Sequence, residues 1–331
     1  MLTRLDHTFQ AFFRRVQAGE QPGYPRFQGK NRFHSFTYKQ FGNGATLDNG
    51  SLVLSKVGCL AVRWSRPLQG TVKTVTVTHE ADGWYCCFCC ADVPAQPLPP
   101  TGRETGIDVG LKVFLITADG AVVENPRHYR RAERALKKAQ RRVARRKKGS
   151  KRRKKAAHLL AKKHQTIRRQ RTDFHHTTAL ALVREYDTIY LEDLQVANLT
   201  RRPEPKPDGN RGYRPNGACA KAGLNTSIND AGWAQFRTIL EGKAAYAGRR
   251  VIAVPPAYTS QDCSGCGERV EKSLSVRTHV CPSCGLVLDR DENAAINIQW
   301  AGQALAGTRG RSCGVELRSI SCLQAVECQL L

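Results

Sequence analysis

Long apolar runs are missing from this sequence, and their absence limits where the protein is expected to work. No stretch of its 331 residues reaches the roughly 20 consecutive apolar side chains that span a bilayer. The first residues also do not form the positively flanked apolar segment of a secretory signal peptide. A membrane-spanning or exported protein is therefore not expected.

Acidic side chains are scarce as well. The chain has 28 Asp and Glu against 53 Lys and Arg, which gives a formal net charge of +25. Most of this excess lies between Arg127 and Arg171, where 22 basic residues accompany a single acid, Glu133. Such one-sided charge repels itself unless a polyanion neutralises it, so a nucleic-acid groove is favoured over a solvated helix face or a disordered segment.

The basic segment has helical periodicity. Apolar residues recur at helical spacing before and after Gly149-Ser150, which predicts two long helices, each cationic on one side, with helix resuming from Thr172 to Glu185. The candidate nucleic-acid-binding residues lie on both sides of the Gly-Ser break: Arg141, Arg142, Arg145, Arg146, Lys151, Arg152 and Arg153.

Cysteine, in contrast, is plentiful. Four of the 13 cysteines form a C-x2-C-x14-C-x2-C pattern: Cys263, Cys266, Cys281 and Cys284. Two such tight turns close a tetrahedral Zn²⁺ shell with no open position, so a structural zinc site is predicted rather than four unrelated thiols. Reduced cysteines fit a cytosolic protein. The cysteines of WYCCFCCAD are expected to pack as small apolar residues in a strand, because neighbours there face opposite ways.

The first hundred residues predict a short amphipathic helix followed by a small antiparallel β domain. Runs with period-two alternation, such as TVKTVTVTHE, fill residues 46–93, and a proline-rich linker ends near Pro100. Before them, aromatic residues alternate with basic ones, a pattern that suits either nucleic-acid contact or the core of the β domain. They are Tyr24, Phe27, Phe33, Phe36 and Tyr38.

Three acids lie at positions where an α/β fold could bring them together. Asp108 is on a strand in GIDVG, part of a hairpin predicted to turn at Asp119-Gly120. Glu192 ends the strand YDTIYLE, and its neighbour Asp193 faces the opposite way. Asp291 opens a helix, where an acid is more commonly an N-terminal cap.

Three converging carboxylates would repel one another, so such a site is stable mainly when it holds divalent cations. Oxygen ligands select Mg²⁺ or Mn²⁺ over zinc. Two such ions about 4 Å apart assist in-line hydrolysis of a phosphodiester. With a polyanion-binding surface, this pattern predicts a nuclease whose catalytic residues are Asp108, Glu192 and Asp291.

These motifs carry a family resemblance. GIDVG, YLEDL, TSQDCSGCG, CPSCG and DRDENAAINI, in this order, resemble the RuvC-type nuclease core of the TnpB (OrfB) proteins of bacterial insertion sequences, relatives of type V CRISPR effectors. The resemblance implies an α/β, RNase H-like fold with an inserted four-Cys zinc ribbon, preceded by a wedge-like β domain. It also implies a guide RNA from the element's own end, a DNA target cut next to a short motif, and a cytoplasmic, nucleoid-associated protein.

The resemblance predicts four regions. They are an N-terminal helix and wedge-like domain (1–100), a first part of the nuclease core (101–257) with the basic segment 127–171, the zinc ribbon (258–288), and the last part of the core with the tail (289–331). Family members have a further strand and a helical lobe before PRFQGKNRF, so the N-terminus is expected to be shortened. A monomer bound to RNA is expected, with a dimer as the alternative.

Other functions compete with cleavage. A guide-directed DNA-binding repressor, or an accessory protein inactivated by the shortened N-terminus, would share the charge and the zinc ribbon. A transposase proper would need a separate nucleophile, and a zinc-stapled RNA-binding protein would leave the three acids unexplained. The intact set of acids favours a nuclease.

Overall fold

The computed structural model describes residues 2–26, 29, 32–209, 212–273, 275–309 and 324–330. It divides the chain into two units, one formed by residues 1–91 with 324–331 and the other by residues 92–323. Phe27, Cys313 and Cys322 lie outside the described residues. None of the described helices is both long and apolar enough to cross a membrane.

The first unit contains the predicted amphipathic helix and antiparallel strands. Its elements are α1 (Leu2–Gln17), β1 (Ser35–Tyr38), β2 (Ala45–Asp48), β3 (Ser51–Leu54), β4 (Gly58–Leu60), β5 (Val62–Arg63), β6 (Thr71–His79), β7 (Trp84–Ala91) and, from the end of the chain, β17 (Gln324–Leu330). They form two sheets, ordered β1-β6-β7-β17-β5 and β2-β3-β4.

Alternation fixes the core of the larger sheet. Val75 and Val77 of β6 are buried, and so are Cys86, Phe88 and Cys90 of β7. Cys87 and Cys89 lie on the other face and are half-buried. The cysteines of WYCCFCCAD therefore pack as small side chains of a strand, as the alternation predicted.

The boundaries of this unit differ from the sequence-based ones. The unit ends at Ala91 and not near residue 100, because the proline-rich segment packs on the second unit, where Gln96 N–H donates to Tyr246 O at 2.8 Å and Leu98 N–H to Ala247 O at 3.0 Å. The end of the chain, grouped by prediction with the nuclease core, instead supplies strand β17. It pairs with β7 over its full length and satisfies backbone groups that β7 would otherwise leave open.

The second unit is a mixed α/β structure. Its elements are β8 (Glu104–Val109), β9 (Val113–Thr117), β10 (Val122–Glu124), α2 (His128–Ala144), α3 (Lys151–Glu185), β11 (Thr188–Glu192), α4 (Val196–Leu199), β12 (Lys206–Pro207), β13 (Tyr213–Arg214), α5 (Ala218–Ala231), α6 (Trp233–Tyr246), β14 (Arg250–Val254), β15 (Thr278–Val280), β16 (Val287–Asp289) and α7 (Arg290–Arg309).

One five-stranded sheet organises this unit. Its order is β10-β9-β8-β11-β14, in which β10, β9 and β8 pair antiparallel and β8, β11 and β14 pair parallel. The predicted single hairpin is thus a three-stranded meander: Asp119-Gly120 joins β9 to β10, while Asp108 lies one strand earlier, on β8.

Two helices extend further than the sequence pattern indicated. Helix α3 runs without interruption from Lys151 to Glu185, so the basic helix and the helix predicted from Thr172 are one element. Residues 200–225 are rich in Pro, Gly and Arg and predict a loop, but helix α5 begins inside this segment, at Ala218. The break between α2 and α3 lies at Gly149-Ser150, as predicted, and the Ser150 hydroxyl accepts the N–H of Arg153.

The two faces of the sheet have different partners. Ile107, Ile189 and Leu191 pack with residues of α3 and α6 in the main core. On the opposite face, Tyr190 packs against Ile298 of α7. Helix α7 lies so close to β8 that a methyl group on Gly106 would come within 2.0 Å of the Ala295 carbonyl oxygen. This α7 face of the sheet carries the candidate site.

Candidate functional site

Asp108 and Glu192 lie at the carboxyl ends of neighbouring parallel strands. In the register of β8 and β11, Gly106 pairs with Tyr190 and Ile107 with Leu191, and the two acids follow at the next position of each strand. Because side chains alternate along a strand, both acids share the face of Gly106 and Tyr190, which is the face covered by α7. The alternation of Asp108 and Glu192 is therefore as the sequence predicted.

Asp291 reaches the same place from the start of α7. It lies one turn before Ala295, whose carbonyl oxygen packs over Gly106 of β8. The helix is capped by another residue, since the N–H of Asp291 donates to the Asp289 carboxylate at 2.8 Å. The spacing of Asp291, Ala295 and Ile298 at i, i+4 and i+7 predicts that they share one helix face, and all three are buried. Capping, the commoner role for such an acid, falls to Asp289.

Asp108 interacts electrostatically with the other two acids. Burial, followed by the charges of Glu192 and Asp291, holds the pKa of Asp108 well above its usual range, while the Arg290 guanidinium opposes the shift. Burial also raises the pKa of Glu192. The structure thus places three acids from distant parts of the sequence in one poorly solvated site.

Two arginines that the sequence analysis did not single out hold the third acid. Arg277 Nη1 contacts Asp291 Oδ2 at 3.2 Å, and Arg290 contacts Asp291 Oδ1 through Nε at 3.1 Å and Nη2 at 2.9 Å. These contacts offset the repulsion that Asp291 would otherwise exert on Asp108 and Glu192. Arg290 stands inside the DRD motif, but nothing in the sequence marks Arg277.

Glu192 has a partner of its own. The Thr259 hydroxyl donates to Glu192 Oε1 at 2.5 Å, and this bond partly counters the effect of burial on the pKa of Glu192. Asp193 faces the other way and pairs with Arg237 at 2.5 Å, as its position in the strand predicted. Thr259 precedes the first zinc-site cysteine in TSQDC, and this proximity is the one signal that could have identified it.

The four predicted zinc ligands come together. Their sulfur atoms all lie within 4.8 Å of one another, with Cys263 3.6 Å from Cys284 and Cys266 3.5 Å from Cys281. Tetrahedral Zn–S bonds of about 2.3 Å would separate sulfurs by about 3.8 Å, so the cluster fits zinc closely. Among the described residues the three carboxylates do not form so tight a group.

Glycines shape the two knuckles as expected. Gly267 and Gly285 follow the second cysteine of each CxxC with φ of 79° and 70°, in the left-handed region that other residues rarely adopt. The Gly265 N–H donates to the Cys263 sulfur at 3.3 Å, an interaction that stabilises a thiolate. The short pair β15 and β16 carries Cys281 and Cys284 between its strands.

Helices α2 and α3 form a basic groove of about 950 Å³. The residues that line it include Arg141, Arg142, Arg145 and Arg146, together with apolar residues such as Ala135, Ala139 and Ala156. Lys151 and Arg152 are exposed.

Arg153 has partners inside the protein. Its Nη1 donates at 2.9 Å to Val143 O and to Arg146 O and so closes the carboxyl end of α2. The structure thus gives Arg153 a contact at the helix end that its charge alone did not predict.

Two family models match this chain. The OrfB_IS605 model, described as "Probable transposase", matches residues 75–202, which include β8, the basic helices and β11. The Cas12f1-like TNB domain model matches residues 233–298, which include the four cysteines and the start of α7. The matched segments together contain all three acids.

Curated relatives match over most of the chain. The protein named "Putative RNA-guided DNA endonuclease InsQ" of Escherichia coli strain K12 is 32% identical over 92% of this chain and 73% of its own length. A "Putative RNA-guided DNA endonuclease" of Streptomyces pristinaespiralis is 37% identical over 96% of this chain and 72% of its own.

Solved structures are more distant. A CRISPR-Cas12f ternary complex matches with a TM-score of 0.42 and 20% identity, over 69% of this chain and 45% of that one. A Cas12f1-sgRNA-target DNA complex matches with a TM-score of 0.42 and 15% identity, over 73% of this chain and 66% of that one. The chain thus spans about half to two thirds of the length of these effectors.

Proposed function

Since this chain belongs to the OrfB (TnpB) family, we propose that it is an RNA-guided DNA endonuclease encoded by a transposable element. The observation that carries the proposal is the meeting of Asp108, Glu192 and Asp291 at one end of the α/β sheet, next to a zinc ribbon. Two curated relatives that bear the name of such an endonuclease match this chain over more than nine tenths of its length.

The proposed fold of the second unit is RNase H-like. Its support is the strand order, in which three antiparallel strands, β10, β9 and β8, continue into two parallel ones, β11 and β14. In this arrangement the first and fourth strands of the fold, β8 and β11, lie side by side and present their carboxyl ends together. The small β unit formed by residues 1–91 is proposed to be the wedge-like domain.

The three acids fit divalent cations by the chemistry of their donors. Asp108, Glu192 and Asp291 offer carboxylate oxygens, which Mg²⁺ and Mn²⁺ prefer. Burial, and then the charges of Glu192 and Asp291, raise the pKa of Asp108, and bound cations would favour its ionised form. When bound, a pair of such ions would activate water and stabilise the leaving oxygen of a phosphodiester. The protein's contribution is to hold the acids on rigid elements, two strand ends and a helix start.

The arginines add positive charge at this site. Arg277 is 43% exposed while it contacts Asp291, so its guanidinium is accessible from solvent. We propose that Arg277 would also contact a bound phosphodiester, whose negative charge suits a guanidinium. Arg290, whose side chain is 15% exposed, stays beside Asp291 and orients it.

Nucleic acid is proposed to lie along the basic helices. The residues that line the α2–α3 groove are mostly Lys and Arg, and the others are apolar, which suits a sugar-phosphate backbone more than base edges. Such a surface holds a guide-target heteroduplex without reading its sequence, which base pairing supplies. The four cysteines are proposed to hold a structural zinc ion.

The main alternative is a guide-directed protein that binds DNA without cutting it. The full set of acids, with neighbours that orient them, favours cleavage: a protein that only binds has no need to crowd three carboxylates at one point.

The test is cleavage by the RNA-bound protein in Mg²⁺. Asp108→Asn, Glu192→Gln and Asp291→Asn should each lower the cleavage rate by about 1,000-fold or more, the scale seen when an essential charged group is removed, while RNA binding persists. Asp193→Asn is the matched control, because Asp193 adjoins Glu192 but faces away, and it should cut normally. Wild-type cleavage by Glu192→Gln would remove the catalytic assignment.

A further inference from the structure

Thr259 makes the shortest side-chain contact to Glu192. Its hydroxyl lies 2.5 Å from Glu192 Oε1, and Thr259 is buried, with 8% of its surface exposed. A hydroxyl donor fixed at this place restricts the rotation of the Glu192 carboxylate.

The turn that carries Thr259 is rigid. It begins at Tyr258, which has a φ of 64°, and the N–H groups of Gln261 and Asp262 both donate to Tyr258 O, at 2.8 and 2.9 Å. Arg269 covers the Tyr258 ring at 3.5 Å and pairs with Asp262 at 2.9 Å. These contacts hold Tyr258 and Asp262, the residues on either side of Thr259 in the turn, and so restrict the backbone of Thr259.

Helix α7 holds the same turn from the other side. Asn297 Nδ2 donates to Thr259 O at 2.9 Å and to Asp262 O at 2.7 Å. Asn293, which is fully buried, donates to Asp262 O at 2.8 Å and accepts the N–H of Ser264 at 2.9 Å. Ser264 lies between the zinc-site residues Cys263 and Cys266.

One chain of hydrogen bonds therefore joins the first zinc knuckle, the helix that bears Asp291 and the carboxylate of Glu192. The asparagines belong to DENAAIN, and their spacing at i and i+4 places both on one face of α7, next to the turn.

We propose that Thr259 is a positioning residue that fixes the Glu192 carboxylate for divalent-cation binding, and that Asn293 and Asn297 transmit the integrity of the zinc knuckle to this carboxylate. The inference rests on the proposed function, in which Glu192 is a cation ligand. Partners that orient metal-binding carboxylates typically contribute 10- to 100-fold to affinity or activity, and an effect of about that size is expected here.

The experiment compares Thr259→Val, which removes only the hydroxyl, with Thr259→Ser, which keeps it, in the RNA-bound full chain. Three quantities are measured: zinc per chain by mass spectrometry, Mn²⁺ affinity by electron paramagnetic resonance, and the Mg²⁺ dependence of DNA cleavage. Thr259→Val should keep its zinc and lose about 10- to 100-fold in Mn²⁺ affinity and cleavage. Thr259→Ser should restore most of both.

Two further variants complete the design. Thr238→Val removes an exposed hydroxyl that bonds to Ala234 O of its own helix, and it should match the wild type. In the Glu192→Gln background, Thr259→Val should cause little additional loss of Mn²⁺ affinity, because the carboxylate that the hydroxyl orients is already gone.

The outcomes separate this inference from the proposed function. If Glu192→Gln still cuts DNA, the proposed function fails and this inference with it. If Glu192→Gln is inactive but Thr259→Val binds Mn²⁺ and cuts like the wild type, the positioning role alone is wrong. If Thr259→Val loses zinc or its folded spectrum, the hydroxyl serves folding and the proposal is overturned.

Discussion

Gly106 and Gly302 allow helix α7 to lie directly on the strands that carry the acids. A methyl group at Gly302 would come within 1.9 Å of the Tyr190 ring, and one at Gly106 within 2.0 Å of Ala295 O. The position of Asp291 relative to Asp108 and Glu192 therefore depends on glycine at both positions, because any larger residue would push helix α7 away from the strands.

Gly242 of helix α6 and Gly302 of helix α7 should respond to alanine with opposite signs. Helix propensity alone predicts that Gly→Ala stabilises each helix by about 1 kcal/mol. Gly242, in α6, has no atom within 4 Å of the added methyl group, so Gly242→Ala should raise the urea midpoint. Gly302→Ala should lower it, since overpacking costs about 1–3 kcal/mol or more. Both are measured by circular dichroism.

A rise of the midpoint in both variants would contradict the close packing of α7 on Tyr190. Gly302→Ala should also slow DNA cleavage if the helix is displaced, and Gly242→Ala should not. Comparing the two variants thus distinguishes an effect on stability from an effect on the position of the acids.

At the residue scale, the sequence located each catalytic candidate because alternation and helical spacing act over a few positions. It did not locate Thr259 and Arg277, since their contacts with Glu192 and Asp291 span 67 and 14 positions and follow no local rule. Arg153 was placed on the nucleic-acid surface by charge alone, whereas in the structure its guanidinium donates to backbone carbonyl groups at the end of α2.

Helix α3 contains a buried titratable residue, His175, which lies just after the basic segment. His175 is fully buried, stacks on Phe114 with ring centroids 5.5 Å apart, and has Nε2 2.8 Å from Ala231 O. Burial lowers the pKa of His175 to about 4. The imidazole is therefore neutral in the folded protein at pH values where an unfolded chain would already be protonated.

This difference makes stability depend on pH. The contribution of His175 is complete above the unfolded pKa of 6.5 and is lost as the pH falls from about 6.5 to 4, because only the unfolded state takes up the proton in that interval. The full shift corresponds to about 3 kcal/mol. His175→Leu should flatten the dependence of the unfolding free energy on pH between about 7 and 4.5, measured by urea titration.

His164→Gln is the control from the same helix, since His164 is exposed, and it should keep the wild-type pH dependence. Equal slopes for His175→Leu and the wild type would show that His175 does not stay neutral in the folded chain.

The sequence predicted most elements but placed several of their limits incorrectly. Alternation predicted strands in the region of β6 and β7, the apolar run of YDTIYLE predicted β11, and Gly149-Ser150 predicted the end of the first basic helix. The continuity of α3 was missed because the apolar spacing becomes irregular where a basic surface gives way to a buried one. The start of α5 was missed because proline and glycine in the preceding loop drew the boundary too far along the chain.

Across the whole molecule, charge is concentrated on the α2–α3 groove, and binding of nucleic acid should depend steeply on salt. Each phosphate that the protein no longer neutralises reduces the slope of log K against log salt by about 0.7–0.9. Replacing Arg141, Arg142 and Arg145 by glutamine should therefore lower the slope by about 2–3. The measurement is RNA affinity at several salt concentrations.

A matched triple variant uses Lys147, Lys148 and Lys154, which are exposed but outside the groove lining. It removes the same charge and should change the slope less. Equal changes of the salt slope in the two triple variants would show that RNA binding depends on the overall charge and that RNA does not occupy the groove.

The position of β17 between β7 and β5 has a consequence for biosynthesis. The first unit cannot complete its larger sheet until residues 92–323 have been translated, which takes roughly 10–50 s at ordinary elongation rates. During that interval a nascent chain on the ribosome exposes the edge of β7. A strand that is translated long after β7 thus completes the larger sheet of the first unit.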